Sequence, residues 1–317
     1  MRSHKLSSKP HKSNAPAHVP RLAFEAIGTQ WLVDLAVPPA QVPVLANHIT
    51  ARIAEFDKTY SRFRSDSLVT AMSKRAGSFT LPTDAPPLLA FYRSMYRATK
   101  GAVTPLIGQT LADAGYDATY RLTPKQLSVP PAWSDVLSYQ FPALTLSRPA
   151  LLDFGAAGKG YVVDLICELL DQHGVDAYCV DAGGDMRRHS NDGGRLRIGL
   201  EDPDNPERVI GAIELASQSL CGSAGNRRNW GTYHHIIDPK RLVSPRHIAA
   251  VWAMADTAMV ADGMTTCLFF APAHVLRKRF TFDYAILYAN GSLECSAAFA
   301  GAFFKDHTSR KDVHEAT

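Results

Sequence analysis

The period of the hydrophobic pattern changes several times along the chain, and each change marks an expected element. "FEAIGTQWLVDLAV" (24–37) alternates apolar and polar residues and reads as a strand entered through a Gly-Thr turn. "QVPVLANHITARIAEFDKTYSRF" (41–63) repeats apolar residues three and four apart, which predicts an amphipathic helix. A second helix is expected over 84–100, closed by Lys100 and by Gly101 just past its end. Residues 120–150 read as short strands and turns.

An apolar run then collapses into the glycine turn of "LLDFGAAGKGYVVDLICELL" (151–170). The helix that follows carries Val162, Leu165, Ile166, Leu169 and Leu170 on one face and stops at Gly174. "VDAYCV" (175–180) reads as a buried strand leading into the turn "DAGGDMRRHSNDGG". Two more strands, "RLRIGL" and "VIGAIEL", precede "SLCGSAGNRRNW"; a helix is expected over 256–270 and a late strand at "FDYAILYA" (282–289). Strands and helices mix without a regular alternation, so the expected class is α+β, not a doubly wound sheet.

The composition, 46% hydrophobic and 20% charged over 317 residues, is that of a globular chain with ample core. The net charge of +4 changes the picture little, because residues 1–20 hold Arg2, Lys5, Lys9 and Lys12 and no acid. Setting those four aside leaves 30 basic against 30 acidic residues, which argues against a nucleic-acid surface. The same 20 residues read as a flexible basic tail, residues 21–300 as the functional domain, and 301–317 as a polar C-terminal tail. No apolar export segment opens the chain and no window is apolar enough to span a membrane, so a cytoplasmic location is expected. The five cysteines form no CxxC pair, which gives no sign of a zinc site or a disulfide framework.

Chemistry concentrates in three places. Gly155, Gly158, Lys159 and Gly160 crowd one turn, with Asp164 a helical turn later. The spacing fits neither the Walker loop nor the dinucleotide fingerprint. Glycines there either let the backbone approach something closely or adopt positive φ. Amides at the start of the following helix would face an anion, with Lys159 alongside. In "TAMVADGMTTCLFF" (257–270), Asp262 and Thr266 stand four apart on one helix face, an oxygen pair suited to Mg²⁺. "GTYHHIIDPK" (231–240) gathers His234, His235 and Asp238 near a strand exit.

Taken in order, these clusters resemble the FAD:protein FMN transferases of the ApbE family over about residues 23–290. "EAIGTQW" is similar to that family's A-M-G-T opening, "LLDFGAAGKGYVVD" to D-x-G-G-I-A-K-G-Y-A-V-D, "YHHIIDP" to H-H-I-I-D-P, and "ADGMTTCLF" to A-D-A-L-A-T-A-L-F. "YSRFRSDSLVTAMSK", "GAVTPLIGQTL", "VDAGGDMR" and "SLCGSAGN" resemble further family segments.

The resemblance implies an α+β fold of mixed sheets and packed helices, related to the T-fold, with an FAD cleft between two intimately packed halves. It implies Mg²⁺-dependent transfer of FMN from FAD to a Thr or Ser hydroxyl of an acceptor flavoprotein or redox-complex subunit, with AMP released. Asp262 and Thr266 would ligate Mg²⁺ through side chains and Gly158 through its carbonyl. Phe63 would stack on the flavin or adenine, and Ile27, Ala102, Val103, Thr104, Gly155, Tyr161 and Asp164 would line the cleft. His235 would sit beside the phosphates as an acid or base, with Asp262 the other catalytic residue. This chain departs from the family at Thr104, where an aspartate is usual, at Ser73 for asparagine, at Arg241-Leu242 for Thr-Gly, and at Ile27 for methionine. Two alternative readings share these motifs: a Mg²⁺-dependent FAD pyrophosphatase and a non-catalytic flavin-binding protein.

Overall fold

The computed structural model of the protein describes residues 19–225, 228–304 and 314–315. The tail expected over 1–20 lies outside these apart from Val19 and Pro20, and of the segment 301–317 only 301–304 and 314–315 fall within them.

Strands β1 (Arg21–Ala26) and β2 (Thr29–Leu35) form a hairpin. The expected single strand is therefore two. Its turn is Ile27-Gly28, with φ of 50° and 68°, the left-handed pair that matches the twist of a two-residue hairpin. A β-branched residue almost never takes that conformation, and the turn falls one residue before the expected Gly-Thr pair.

Helix α1 (Val42–Tyr60) buries Leu45, Ile49, Ile53, Phe56 and Tyr60, the spacing expected of it. The short α2 (Leu68–Lys74) and β3 (Gly77–Thr80) follow, then α3 (Ala85–Ala98), with Gly101 at φ 88° past its end. Next come α4 (Gly108–Asp113), α5 (Trp133–Val136), β4 (Leu137–Gln140) and β5 (Ala143–Leu146); β3, β5 and β4 make a small antiparallel sheet.

The glycine turn opens α6 (Gly158–Gln172), which leads into β6 (Ala177–Ala182). The stretch expected to be one long turn contains β7 (Met186–Ser190). Strands β8 (Leu196–Asp202) and β9 (Asn205–Leu215) pair as a hairpin, followed by β10 (Ser219–Ala224). The small pair β11 (Asn229–Trp230) and β12 (Tyr233–His234) precedes β13 (Ile248–Ala255), α7 (Ala258–Cys267) and α8 (Ala273–Leu276). Strands β14 (Asp283–Tyr288), β15 (Leu293–Cys295) and β16 (His314–Glu315) close the chain order.

One nine-stranded sheet, ordered β1-β2-β6-β7-β10-β13-β14-β15-β16, organises the molecule. It is antiparallel except for the β15–β16 pair. Successive side chains of β13 point to opposite faces. Val251, Ala253 and Ala255 join the main core with α1, α3, α6 and α7, whereas Ala250, Trp252 and Met254 join a second core under the β8–β9 hairpin. This is the mixed α+β architecture expected. It sets the starts of α6 and α7 side by side, and the site is built there.

Candidate active site

Glycine is needed most sharply at Gly160 of this turn, where backbone blocks a Cβ; at Gly155 a Cβ would meet the Asp153 side-chain Oδ1 at 2.9 Å. None of Gly155, Gly158 and Gly160 has positive φ, so close approach is the operative reason. A Cβ at Gly160 would sit 2.1 Å from the Ala258 carbonyl oxygen and 2.7 Å from the Asp262 Cβ. At Gly158 the nearest atoms would be 3.6 and 3.8 Å away, ordinary contact. The glycine at 160 thus lets α6 press against α7, and its N–H donates to Asp262 Oδ2 at 2.9 Å.

Asp262 is 3% exposed. Burial raises its pKa, while the Lys159 charge, the Gly160 N–H and the Arg228 charge pull it back down. Lys159 forms an ion pair with the buried Asp185, which stands in the Gly183-Gly184 turn between β6 and β7. Two carboxylates and a lysine therefore meet at the start of α6, with Arg228 contributing from farther along the chain.

Asp164 holds the two helices together. Its carboxylate accepts from the N–H groups of Ala258 and Met259 at 2.9 and 2.8 Å, and from Arg187 Nη1 at 2.7 Å. It thereby satisfies donors at the start of α7 that no intrahelical carbonyl can reach. Tyr161 donates to the Asp84 carbonyl at 2.5 Å and packs edge-on against Phe56. Neither side chain is on the cleft wall; both pack α6 behind it.

The cleft has a volume of about 340 Å³. Of the residues expected there, Ile27, Phe63, Ala102, Val103, Thr104, Gly155, Lys159, His235 and Thr266 line it together. Gly158 and Asp262 sit just behind, one opening α6 and the other a turn before Thr266 on α7. Thr104 spends its hydroxyl locally, accepting from the Leu106 N–H at 3.2 Å to cap a short 3-10 turn. Ser73 likewise donates into its own helix, to the Thr70 carbonyl at 2.8 Å. Leu242, at φ 57°, takes the left-handed turn without the usual glycine.

The two adjacent histidines separate cleanly. His234 is buried, its Nε2 2.8 Å from the Pro245 carbonyl and its Nδ1 accepting from the Ile236 N–H at 3.3 Å. His235 faces the cleft. Burial lowers the His234 pKa below the ordinary imidazole value. The unfolded chain then binds a proton here that the folded one resists, so stability rises with pH through this window. Stability should fall as pH drops from 7 to 5, and His234→Gln should flatten that part of the profile; denaturant unfolding at the two pH values checks it.

Several groups that line or brace the cleft are not among the site residues that the resemblance implies. Asp153 accepts from Gly155 N–H at 2.7 Å and from Arg62 Nε at 2.5 Å, so it braces the glycine turn. Tyr92, fully buried, accepts from the Ala156 N–H at 3.1 Å. Asp57, Arg64, Tyr116, Tyr120 and Arg228 also line the cleft, with Arg228 Nη1 donating to the Tyr116 hydroxyl at 3.2 Å. Among the described residues, no three His, Cys, Asp or Glu side chains gather as a metal cage. No helix among them is long and apolar enough to cross a membrane.

Comparison with known proteins identifies the family and the fold. The sequence model of the ApbE family matches residues 27–281. The chain is 26% identical over 251 residues to the FAD:protein FMN transferase of Haemophilus influenzae, covering 72% of this chain and 71% of that one. To the Vibrio cholerae protein of the same name it is 25% identical over 273 residues, 80% and 81% of the two chains. In structure it is similar to the ApbE protein of Thermotoga maritima, with a TM-score of 0.80, 20% identity, and 91% and 100% of the chains covered. The flavin transferase ApbE of Vibrio cholerae superposes with a TM-score of 0.74 at 20% identity, over 91% and 100% of the chains.

Proposed function

The chain belongs to the ApbE family, and from that premise we propose that it transfers FMN from FAD to a Thr or Ser hydroxyl of an acceptor protein, with Mg²⁺ bound and AMP released. One observation carries the reading. Residues from motifs scattered between Ile27 and Thr266 converge on a single cleft whose inner wall is the α6–α7 contact. We also propose that residues 21–300 make up the transferase unit.

Asp262, Thr266 and the Gly158 carbonyl are the proposed holders of Mg²⁺. The donor set fits a hard cation, being all oxygen. The buried Asp262 supports it too, since burial still raises its pKa with Lys159 and Arg228 acting on it. When bound, the ion would supply charge neutralisation at the diphosphate.

The chain's own groups do the rest. Lys159, steadied by Asp185, presents a cation on the cleft wall at the amino end of α6, where the helix dipole also favours an anion. Phe63 and its neighbours take the flat part of the nucleotide. His235 accepts the proton of the acceptor hydroxyl as its oxygen bonds to the FMN phosphorus and the bond to the AMP phosphate oxygen breaks.

The test is incubation with FAD, Mg²⁺ and an acceptor domain bearing the target hydroxyl. The expected result is flavin fluorescence covalently attached to the acceptor, with AMP formed in equal amount. Free FMN and AMP with no labelled acceptor would support the pyrophosphatase reading, and intact bound FAD the non-catalytic one.

A further inference from the structure

Phe63 already has company at its ring. The Arg62 guanidinium carbon lies over it, 4.2 Å from the centroid. Tyr120 stacks on it with centroids 5.5 Å apart and planes 10° from parallel. Tyr116 meets both rings edge-on, at 5.3 and 5.6 Å. Arg62 is fixed: its side chain is 2% exposed, and beyond Asp153 it donates from Nη1 to the Tyr116 carbonyl at 2.6 Å.

Tyr120 differs from the others in being 51% exposed while lining the same cleft. Its hydroxyl reaches the β1–β2 turn, where a Cβ at Gly28 would come within 3.8 Å of it. The ring therefore spans from Phe63 toward the opposite wall. Its backbone is held at φ 50°, with Leu122 at 53°. Asp117 Oδ1 fixes that turn by accepting from the N–H groups of Thr119 and Arg121 at 3.0 and 3.1 Å. Two non-glycine residues in left-handed backbone cost stability, and such strain gathers at working sites.

We propose that Tyr120 supplies the stacking face for the planar heteroaromatic ring of the nucleotide, with Phe63 and Arg62 as its backing. This rests on the cleft being the nucleotide site. Both the isoalloxazine and the adenine of FAD have the required chemistry, a flat, polarisable ring that gains by stacking on tyrosine.

The experiment is a binding titration of the full chain and its Tyr120→Leu and Tyr120→Phe variants with FAD, FMN and ADP, each with Mg²⁺. Tyr120→Leu should weaken FAD binding by roughly ten-fold, and Tyr120→Phe, which keeps the ring, by about two-fold at most. Thermal unfolding should stay near wild type for both, since the side chain is half in solvent. A loss repeated with FMN, with recovery of quenched flavin fluorescence in the leucine variant, assigns the ring to isoalloxazine; a loss repeated with ADP assigns it to adenine. Undiminished FAD binding by Tyr120→Leu, or a loss seen with neither fragment, overturns the proposal and leaves the transferase reading standing. Failure of the wild-type chain to bind FAD overturns both.

Discussion

Asp262→Asn should lower kcat/KM for flavin transfer by about a thousand-fold, equivalent to roughly 4 kcal/mol of lost transition-state stabilisation. The substitution is chosen to separate charge from shape. Asparagine keeps an oxygen to accept from the Gly160 N–H, so the 2.9 Å contact between α6 and α7 survives. What disappears is the negative charge proposed to grip Mg²⁺. Stability should move the other way. Burial disfavours the Asp262 carboxylate in the fold, so with metal absent the neutral variant should unfold at the same temperature as wild type or higher. Lys159 keeps its counter-ion, because Asp185 supplies it. Alanine would be a poorer probe, for it also strands the Gly160 N–H. Measurement of transfer, Mg²⁺ affinity and thermal unfolding on the asparagine variant decides the matter. Full activity with unchanged metal affinity refutes the assignment.

The helices most directly legible in the sequence are those whose burial is one-sided. Helices α1 and α3 bury one stripe in the main core, and their apolar spacing reports it. Helices α6 and α7 are buried on nearly all sides, so the sequence shows them through apolar composition and the glycine turn before α6 rather than through a stripe. The failures have physical causes. Ile27 takes turn backbone that its residue type avoids, so the Gly-Thr signal sets the turn one residue late. The five residues of β7 include two arginines and a histidine and lie inside a glycine-rich stretch, yet pairing with β6 and β10 makes them a central strand. Strand β13 is buried on both faces, so it shows no alternation to read.

The site follows the same logic. Nine of the expected site residues line the cleft, and they stand in the quoted motifs, whose short spacings can be read locally. Motifs do not say which member of a pair faces inward, so His234 and His235 separated only in space. Nor do they distinguish a carboxylate that meets a ligand from one that caps a neighbouring helix, as Asp164 caps α7. The aromatic group of Phe63, Tyr116 and Tyr120 joins residues more than fifty positions apart, beyond the reach of any local pattern.

Two glycines two residues apart should respond oppositely to alanine. Gly160→Ala drives a methyl to within 2.1 Å of the Ala258 carbonyl oxygen, a backbone atom that can yield only if α7 moves. Overpacking of this kind costs about 3 kcal/mol. For a chain of this size that corresponds to a drop in melting temperature of roughly 4–5 °C. The same shift pulls Asp262 from the Gly160 N–H, so transfer and Mg²⁺ affinity should fall along with stability. Gly158→Ala meets only ordinary contacts with Phe154 and Phe56, leaves its carbonyl in place, and gains the helix propensity of alanine, up to about 1 kcal/mol. It should melt at or slightly above wild type and keep its activity. If both variants behave alike, the two helices do not depend on close approach at residue 160, and the position of Asp262 needs another explanation. Opposite responses would establish that the glycine of this turn acts through helix–helix distance, which sets the carboxylate where a cation and a diphosphate can meet it.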